Sequence, residues 1–270
     1  MIQKPYNGQT PSSIVFLWNS SNVRTNNEKI ILFAAILEIS YLSLSFLLAQ
    51  LYGQWSYEGE IIRTGLRIIP IAFYLYFCRR YFVNTHHSFE TRKLLTPQFI
   101  APTLLLLLFA AVYTNAENET PLWQLVFAIS GITAGFREEL FYRGIVQNTL
   151  QIKYDYKIAL LATTLLFTLS HIQYIYYGQI RGLVLITFAG IIFGSIFIYT
   201  GSVIFTACIH ALYDVVLSIY IIPFRLSNGI QLPILFLIML AFLIILTRKL
   251  YAPQQTDKNG NTDPDNLSVG

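Results

Sequence analysis

Apolar runs too long for a soluble core constrain this chain more than any other feature. Residues 30–51 hold a single charged side chain, Glu38, and residues 99–113 hold none. Such runs approach the roughly 20 apolar residues that cross a hydrocarbon core. They lack the period-2 alternation of a membrane barrel strand, which leaves helices, whose backbone satisfies its own hydrogen bonds in lipid. Composition agrees: 54% of residues are hydrophobic and 12% charged, against about 25% charged in an ordinary soluble domain. The expected fold is all-α, a polytopic transmembrane helical bundle of about eight spans with an intramembrane catalytic cavity. The spans fall at residues 30–51, 61–83, 98–114, 121–149, 158–176, 180–199, 202–222 and 231–248.

This divides the chain into a polar N-terminal segment (1–29), N-terminal transmembrane helices (30–120), a core (121–222), a C-terminal transmembrane helix (223–250) and a polar tail (251–270) expected to be disordered. The N-terminal segment lacks the pattern of a cleavable signal, so the first span is expected to direct insertion. Cys78 and Cys208 fall in different spans and form no CxxC pair, which argues for packing roles. The chain shows no internal repeat of the transporter kind.

Basic residues set the expected orientation. Lys4, Arg24 and Lys29, then Arg79, Arg80, Arg92 and Lys93, then Lys153 and Lys157, then Arg248 and Lys249 all fall on one side of an eight-span chain. The other side receives Glu58, Glu60, Glu117 and Glu119, with Arg181 and Arg225. Lysine and arginine concentrate in cytoplasmic loops, so both termini are expected in the cytoplasm of an integral membrane protein, in the plasma membrane of a prokaryote. The net charge of +4 is spread between the apolar runs and not along one face, which excludes nucleic acid as a partner. The lipid bilayer is the partner that the composition does demand.

Ionisable groups inside spans cost about 2.5–3.5 kcal/mol each on insertion scales, so a group of them needs a reason. Span four holds Arg137, Glu138, Glu139 and Arg143, span five His171, and span seven His210 and Asp214. At 1.5 Å per residue, Glu138, His171 and His210 lie roughly 12–20 Å from the cytoplasmic surface, so the three clusters can meet in one cavity. Glu139 and Arg143, at i and i+4, are expected to pair on one helix face. Glu138, rotated about 100° away, is then left free for the cavity. His210 and Asp214 are also i and i+4. His171 has only Ser170 beside it, which makes Glu138, across the bundle, its expected partner. A carboxylate next to a histidine in a partly dry site can activate water.

Other features are given structural roles. Glu38 is taken as isolated, facing a cavity or another helix; His86 and His87 as solvated; Arg63 and Arg67 as snorkelling at the outer end of span two. Tyr154–Tyr156 and Tyr174–Tyr177 are taken as interfacial belts. Gly131 with Gly135, and Gly190 with Gly194, form small-xxx-small pairs suited to close helix packing.

Glu-Glu-x-x-x-Arg at 138–143, Phe-x-x-x-His at 167–171 and His-x-x-x-Asp at 210–214 resemble, in order, the motifs of the CAAX prenyl endopeptidase and Abi (bacteriocin-processing and self-immunity) family. The resemblance spans about residues 121–220. It implies an all-helical intramembrane protease in which Glu138 and His171 activate water, His210 and Asp214 steady the oxyanion, and Glu139 with Arg143 shapes the site. The implied substrate is a peptide or lipidated protein, with a prenylated CAAX protein as the type. Many relatives carry Asn where this chain has Asp214, and an ionised Asp cannot donate to an oxyanion. Asp214 is therefore protonated, or orients His210, or belongs to a metal site formed with Glu138, His171 and His210, an N/O set suited to a divalent ion such as zinc. The alternatives to a peptidase are a non-catalytic membrane regulator or immunity factor with the same fold, and a transporter.

Overall fold

The computed structural model describes residues 21–81, 96–113, 119–219 and 227–251. Among these the chain is helical, in the order α1 (Ser21–Tyr52), α2 (Tyr57–Tyr81), α3 (Pro97–Tyr113), α4 (Pro121–Glu138), a π-helical segment (Glu139–Gln147), α5 (Asn148–Lys153), α6 (Tyr156–Leu169), α7 (Gln173–Tyr176), α8 (Ile180–Thr200), α9 (Val203–Ser218) and α10 (Asn228–Tyr251). Four helices are long and apolar enough to cross a membrane: Glu28–Tyr52, Tyr57–Arg80, Ile180–Thr200 and Gly229–Arg248. Phe99–Tyr113, Tyr156–Leu169 and Val203–Ser218 are apolar but shorter. Large aliphatic side chains such as Ile39, Leu104, Leu161 and Leu237 stand exposed on the outside of the bundle. In water that apolar surface would be a liability, whereas in lipid it meets its solvent. The protein is an integral membrane helical bundle.

Local chemistry sets the helix ends around the site. Thr120 caps α4 by accepting from the Trp123 amide, with Pro121 in the first turn, where its missing N–H costs nothing. Asp155 caps α6 through the Lys157 amide. Gly201, at φ 68°, ends α8 in the left-handed conformation, and Ser202 then caps α9. Beyond Glu138 the backbone changes from i→i+4 to the wider i→i+5 pattern over Glu139–Gln147. This segment runs through the centre of the molecule, and every residue of Glu139–Ile145 is buried.

Two apolar clusters flank it. One joins α3, α8, α9 and α10 through Leu106, Ile192, Phe193, Leu235 and Phe242; the other joins α1, α2, the π segment, α6 and α8 through Ala34, Tyr74, Leu140, Ile145 and Phe167. Helix α4 lies directly on α9. A Cβ at Gly131 would sit 2.7 Å from that of Asp214, and one at Gly135 would sit 2.8 Å from the Ala211 amide nitrogen. The small-xxx-small pair thus does pack helices, and in doing so it brings His210 and Asp214 against the acidic stretch of α4. Cys78 is buried and Cys208 exposed, both as free thiols. His86, His87 and the polar tail lie outside the described residues.

Candidate active site

A cavity of about 780 Å³ is lined by residues of α1, α2, α4, α9 and the turn around α7, with Arg137, Glu138, His171, His210 and Asp214 on its wall. Glu138 Oε1 receives a bond from Arg137 Nη2 at 2.7 Å and faces His171 Nε2 at 3.9 Å. The expected Glu138–His171 partnership across the bundle is present. The expectation that Glu138 would be free of other partners is not met. Arg137 holds it, and Arg137 is in turn held by Glu38 Oε1 at 2.9 Å and lies 4.2 Å from the Tyr41 ring centroid. Glu38 is therefore not isolated: its second oxygen accepts from Tyr74 Oη at 2.9 Å. All three charges are more than nine-tenths buried, where an unpaired ion would be very costly.

His171 sits elsewhere than the sequence suggests. A helix running to residue 176 is expected, but α6 ends at Leu169 and His171 lies in the turn before α7. The last turn of α6 loses its carbonyls to side chains: Ser170 Oγ donates to the Phe167 carbonyl at 2.7 Å, and His171 Nδ1 lies 2.8 Å from the same oxygen. Such local bonds compete with helix continuation. A carbonyl can only accept, so Nδ1 carries a hydrogen and Nε2 is the ring nitrogen turned toward Glu138.

His210 makes a different pair. Its Nδ1 lies 2.8 Å from Glu139 Oε1, while Nε2 lies 3.7 Å from Asp214 Oδ2. The i, i+4 partner is thus the looser one, and the tight one comes from the start of the π-helical segment. Glu139 Oε2 accepts from Arg143 Nε at 3.1 Å, as the spacing implies. Arg143 also donates to the Gly190 carbonyl at 2.9 Å and to Gln147 Oε1 at 3.4 Å. Glu139, Arg143 and Gln147 are fully buried. Phe193 stacks on the His210 ring at 4.1 Å between centroids, and Phe167 lies between Arg143 and His171.

A second buried polar cluster faces the same cavity. Arg63 and Arg67 do not snorkel: both are buried and bind Glu60, at 2.6 and 3.0 Å. Arg67 donates to Tyr41 Oη at 2.7 Å, and Ser130 Oγ donates to Glu60. The carboxylate of Glu60 gives the arginines a partner nearer than the interface. Of the expected aromatic belts, Tyr154 and Tyr176 are exposed, but Tyr174 and Tyr177 line the cavity.

The four side chains weighed as metal ligands divide into the Glu138–His171 and His210–Asp214 pairs. Among the described residues no group of three or more His, Cys, Asp or Glu is arranged to hold a metal ion. The Glu138 carboxylate already receives a guanidinium. The donor set as it stands does not fit a resident ion.

Arg137 and Glu38 were legible in principle, because each is an ionisable group in an apolar stretch and each needs an opposite charge. Their pairing, 99 residues apart, was not.

The site is thus two carboxylate–histidine pairs, Glu138–His171 and His210–Asp214, on one internal cavity of an all-helical membrane protein. Residues 118–216 match the family described as type II CAAX prenyl endopeptidase Rce1-like. The match supports the resemblance to the CAAX/Abi protease family, and the matched segment contains all six residues singled out from the sequence. No curated protein and no solved structure matches the chain.

Proposed function

We propose that the protein is an intramembrane endopeptidase that hydrolyses a peptide bond in a membrane-associated substrate, with water activated by Glu138 and His171. The observation that carries this reading is the gap between them. At 3.9 Å the pair is too far apart for a direct hydrogen bond, and a water between them can donate to both. Arg137 holds the Glu138 carboxylate in position. As the water attacks the substrate carbonyl, its proton passes to the Glu138–His171 pair and then to the leaving amine.

His210 and Asp214 face the other side of that space. With Nδ1–H donated to Glu139, an Nε2–H directed at the substrate would stabilise the oxyanion, and Asp214 would orient the ring. Glu139 and Arg143 are positioning residues, fully buried beneath the histidine. A prenylated CAAX-type protein is the substrate that the family description suggests. A divalent ion such as zinc would have to compete with Arg137 for Glu138.

The test is cleavage of a lipid-anchored peptide by purified protein. Glu138→Ala should abolish it, and metal chelation should leave it intact. Equal cleavage by the variant would refute the water-activation mechanism and favour a non-catalytic regulator or immunity factor. Loss of activity on chelation, restored by zinc, would replace the proposed general base with a metal.

A further inference from the structure

Four arginines line the cavity among the described residues: Arg63, Arg67, Arg137 and Arg181. Three of them hold a carboxylate. Arg63 and Arg67 share Glu60, and Arg137 bridges Glu38 and Glu138. Arg181 differs. Its Nε and Nη2 are buried without a hydrogen-bond partner, and among the described residues its guanidinium makes no ion pair. Glu119 lines the same cavity but is exposed and does not pair with it. A buried donor without an acceptor forfeits the hydrogen bonds that water would give it, and native structures seldom leave one so.

Two contacts fix where Arg181 stands, in the first turn of α8. The Gln179 amide donates to the Tyr174 carbonyl at 2.6 Å, which ties α7 to the start of α8. Gly182 packs on the Tyr174 ring, where a Cβ would lie 2.8 Å from Cδ1. Tyr174 in turn lies beside His171, with ring centroids 6.3 Å apart. One aromatic ring thus links the helix turn carrying Arg181 to the histidine of the Glu138–His171 pair. An extended chain covers about 3.3 Å per residue, so a few residues bridge that distance. The two unpartnered nitrogens also share an edge. Nε–H and Nη2–H point the same way, a fork matched to the oxygens of a carboxylate or phosphate. Arg63 turns that same edge on Glu60, at 3.0 and 2.6 Å.

We propose that Arg181 is an anion subsite of the cavity and binds a carboxylate of the polypeptide substrate, a few residues from the scissile bond. This rests on the protease reading for the word substrate, but the binding needs no cleavage. The carboxylate is a C-terminal group or an acidic side chain, which the fork reads alike. A cavity of about 780 Å³ has room for such a segment beside the Glu138–His171 pair. Arg181 selects which peptide binds and takes no part in the bond-breaking step.

Binding is read without turnover in full-length His171→Ala protein, which keeps every Arg, Asp and Glu of the cavity wall. The probe is a fluorescent lipid-anchored peptide with one Glu near a free C-terminus, followed by anisotropy in detergent. Its analogues carry Gln for that Glu, an amidated C-terminus, or both changes. The doubly neutral analogue should bind about tenfold more weakly than the parent, and the single analogue that repeats the loss identifies the source of the carboxylate. Adding Arg181→Gln should weaken the parent about tenfold and leave the doubly neutral analogue almost unchanged. Equal binding of parent and neutral peptides, or equal weakening of both by Arg181→Gln, overturns the proposal. Should Arg181→Gln fail to fold, Arg181→Lys replaces it. Loss of the fork should then lower the preference for the parent, and an unchanged preference overturns the proposal. If phosphatidylglycerol raises the melting temperature only when Arg181 is present, while the peptides bind both proteins alike, the anion is a lipid phosphate and the proposal falls. Cleavage by protein with His171 intact separates the two readings. No cleavage with the carboxylate preference intact removes the protease and leaves the subsite; cleavage of parent and neutral peptides with equal KM removes the subsite and leaves the protease.

Discussion

The Glu138–His171 and Glu139–His210 pairs adjoin the same cavity but differ in geometry. Glu138 and His171 are separated by 3.9 Å, and the histidine side chain is 17% exposed. Glu139 and His210 touch at 2.8 Å, with the carboxylate fully buried and both its oxygens occupied. The loose pair leaves room for a reactant between its members. The tight pair leaves none, and its geometry is fixed by Arg143, Gly190 and the stacked Phe193. Adjacent glutamates thus divide: Glu138 lines the cavity, whereas Glu139 is fully buried away from it.

That division predicts opposite profiles for activity and stability. Losing the loose pair should cost the most in rate: Glu138→Ala or His171→Ala should slow cleavage by about 10²–10⁴-fold. The double variant should be no slower than the worse single one, because the two act as a unit. Additive losses would show that the residues act separately. In the tight pair the largest loss should be in folding. Arg143→Ala leaves Glu139 as a buried charge held only by His210, at a cost of about 3–5 kcal/mol, read as a fall in melting temperature in detergent. Glu138→Gln, whose partner Arg137 retains Glu38, should melt near wild type. A variant order in which Glu138→Gln is the less stable would break the comparison.

His210→Ala should act on both scales, with about 3 kcal/mol of transition-state stabilisation lost if its Nε2–H serves the oxyanion. Asp214→Asn refines this: retained or improved cleavage places a donor at that position, whereas loss marks a carboxylate that orients His210. The smallest effect is expected at Glu38→Gln. It removes one charged partner from Arg137 while the other remains, a change worth roughly 1.5 kcal/mol, or about tenfold in rate. The loss should appear in kcat with KM unchanged, since Glu38 acts through Arg137 and Glu138; a change confined to KM would assign Glu38 to substrate binding instead.

Membrane class and helical fold were legible in the chain itself, and the six polar side chains on which the proposed site rests could be picked out from it. Long uncharged runs admit only helices in lipid, and ionisable groups stranded within such runs mark a site by their cost alone. Spacing also fixed the Glu139–Arg143 pair and the glycine contacts of α4, since both depend on neighbours along one helix. The Glu138–His171 partnership across the bundle was also anticipated, but other partners were not. His210 chose Glu139 over Asp214, Arg137 joined Glu38 to Glu138, and Glu60 drew Arg63 and Arg67 of its own helix inward, because a buried charge takes the nearest opposite charge in space. The early end of α6, which puts His171 in a turn, came from side chains competing for the Phe167 carbonyl. The cavity itself was decided only by packing: periodicity gives a helix its faces, but which stretch of each face meets another helix and which is left to line a space depends on how all of them are stacked.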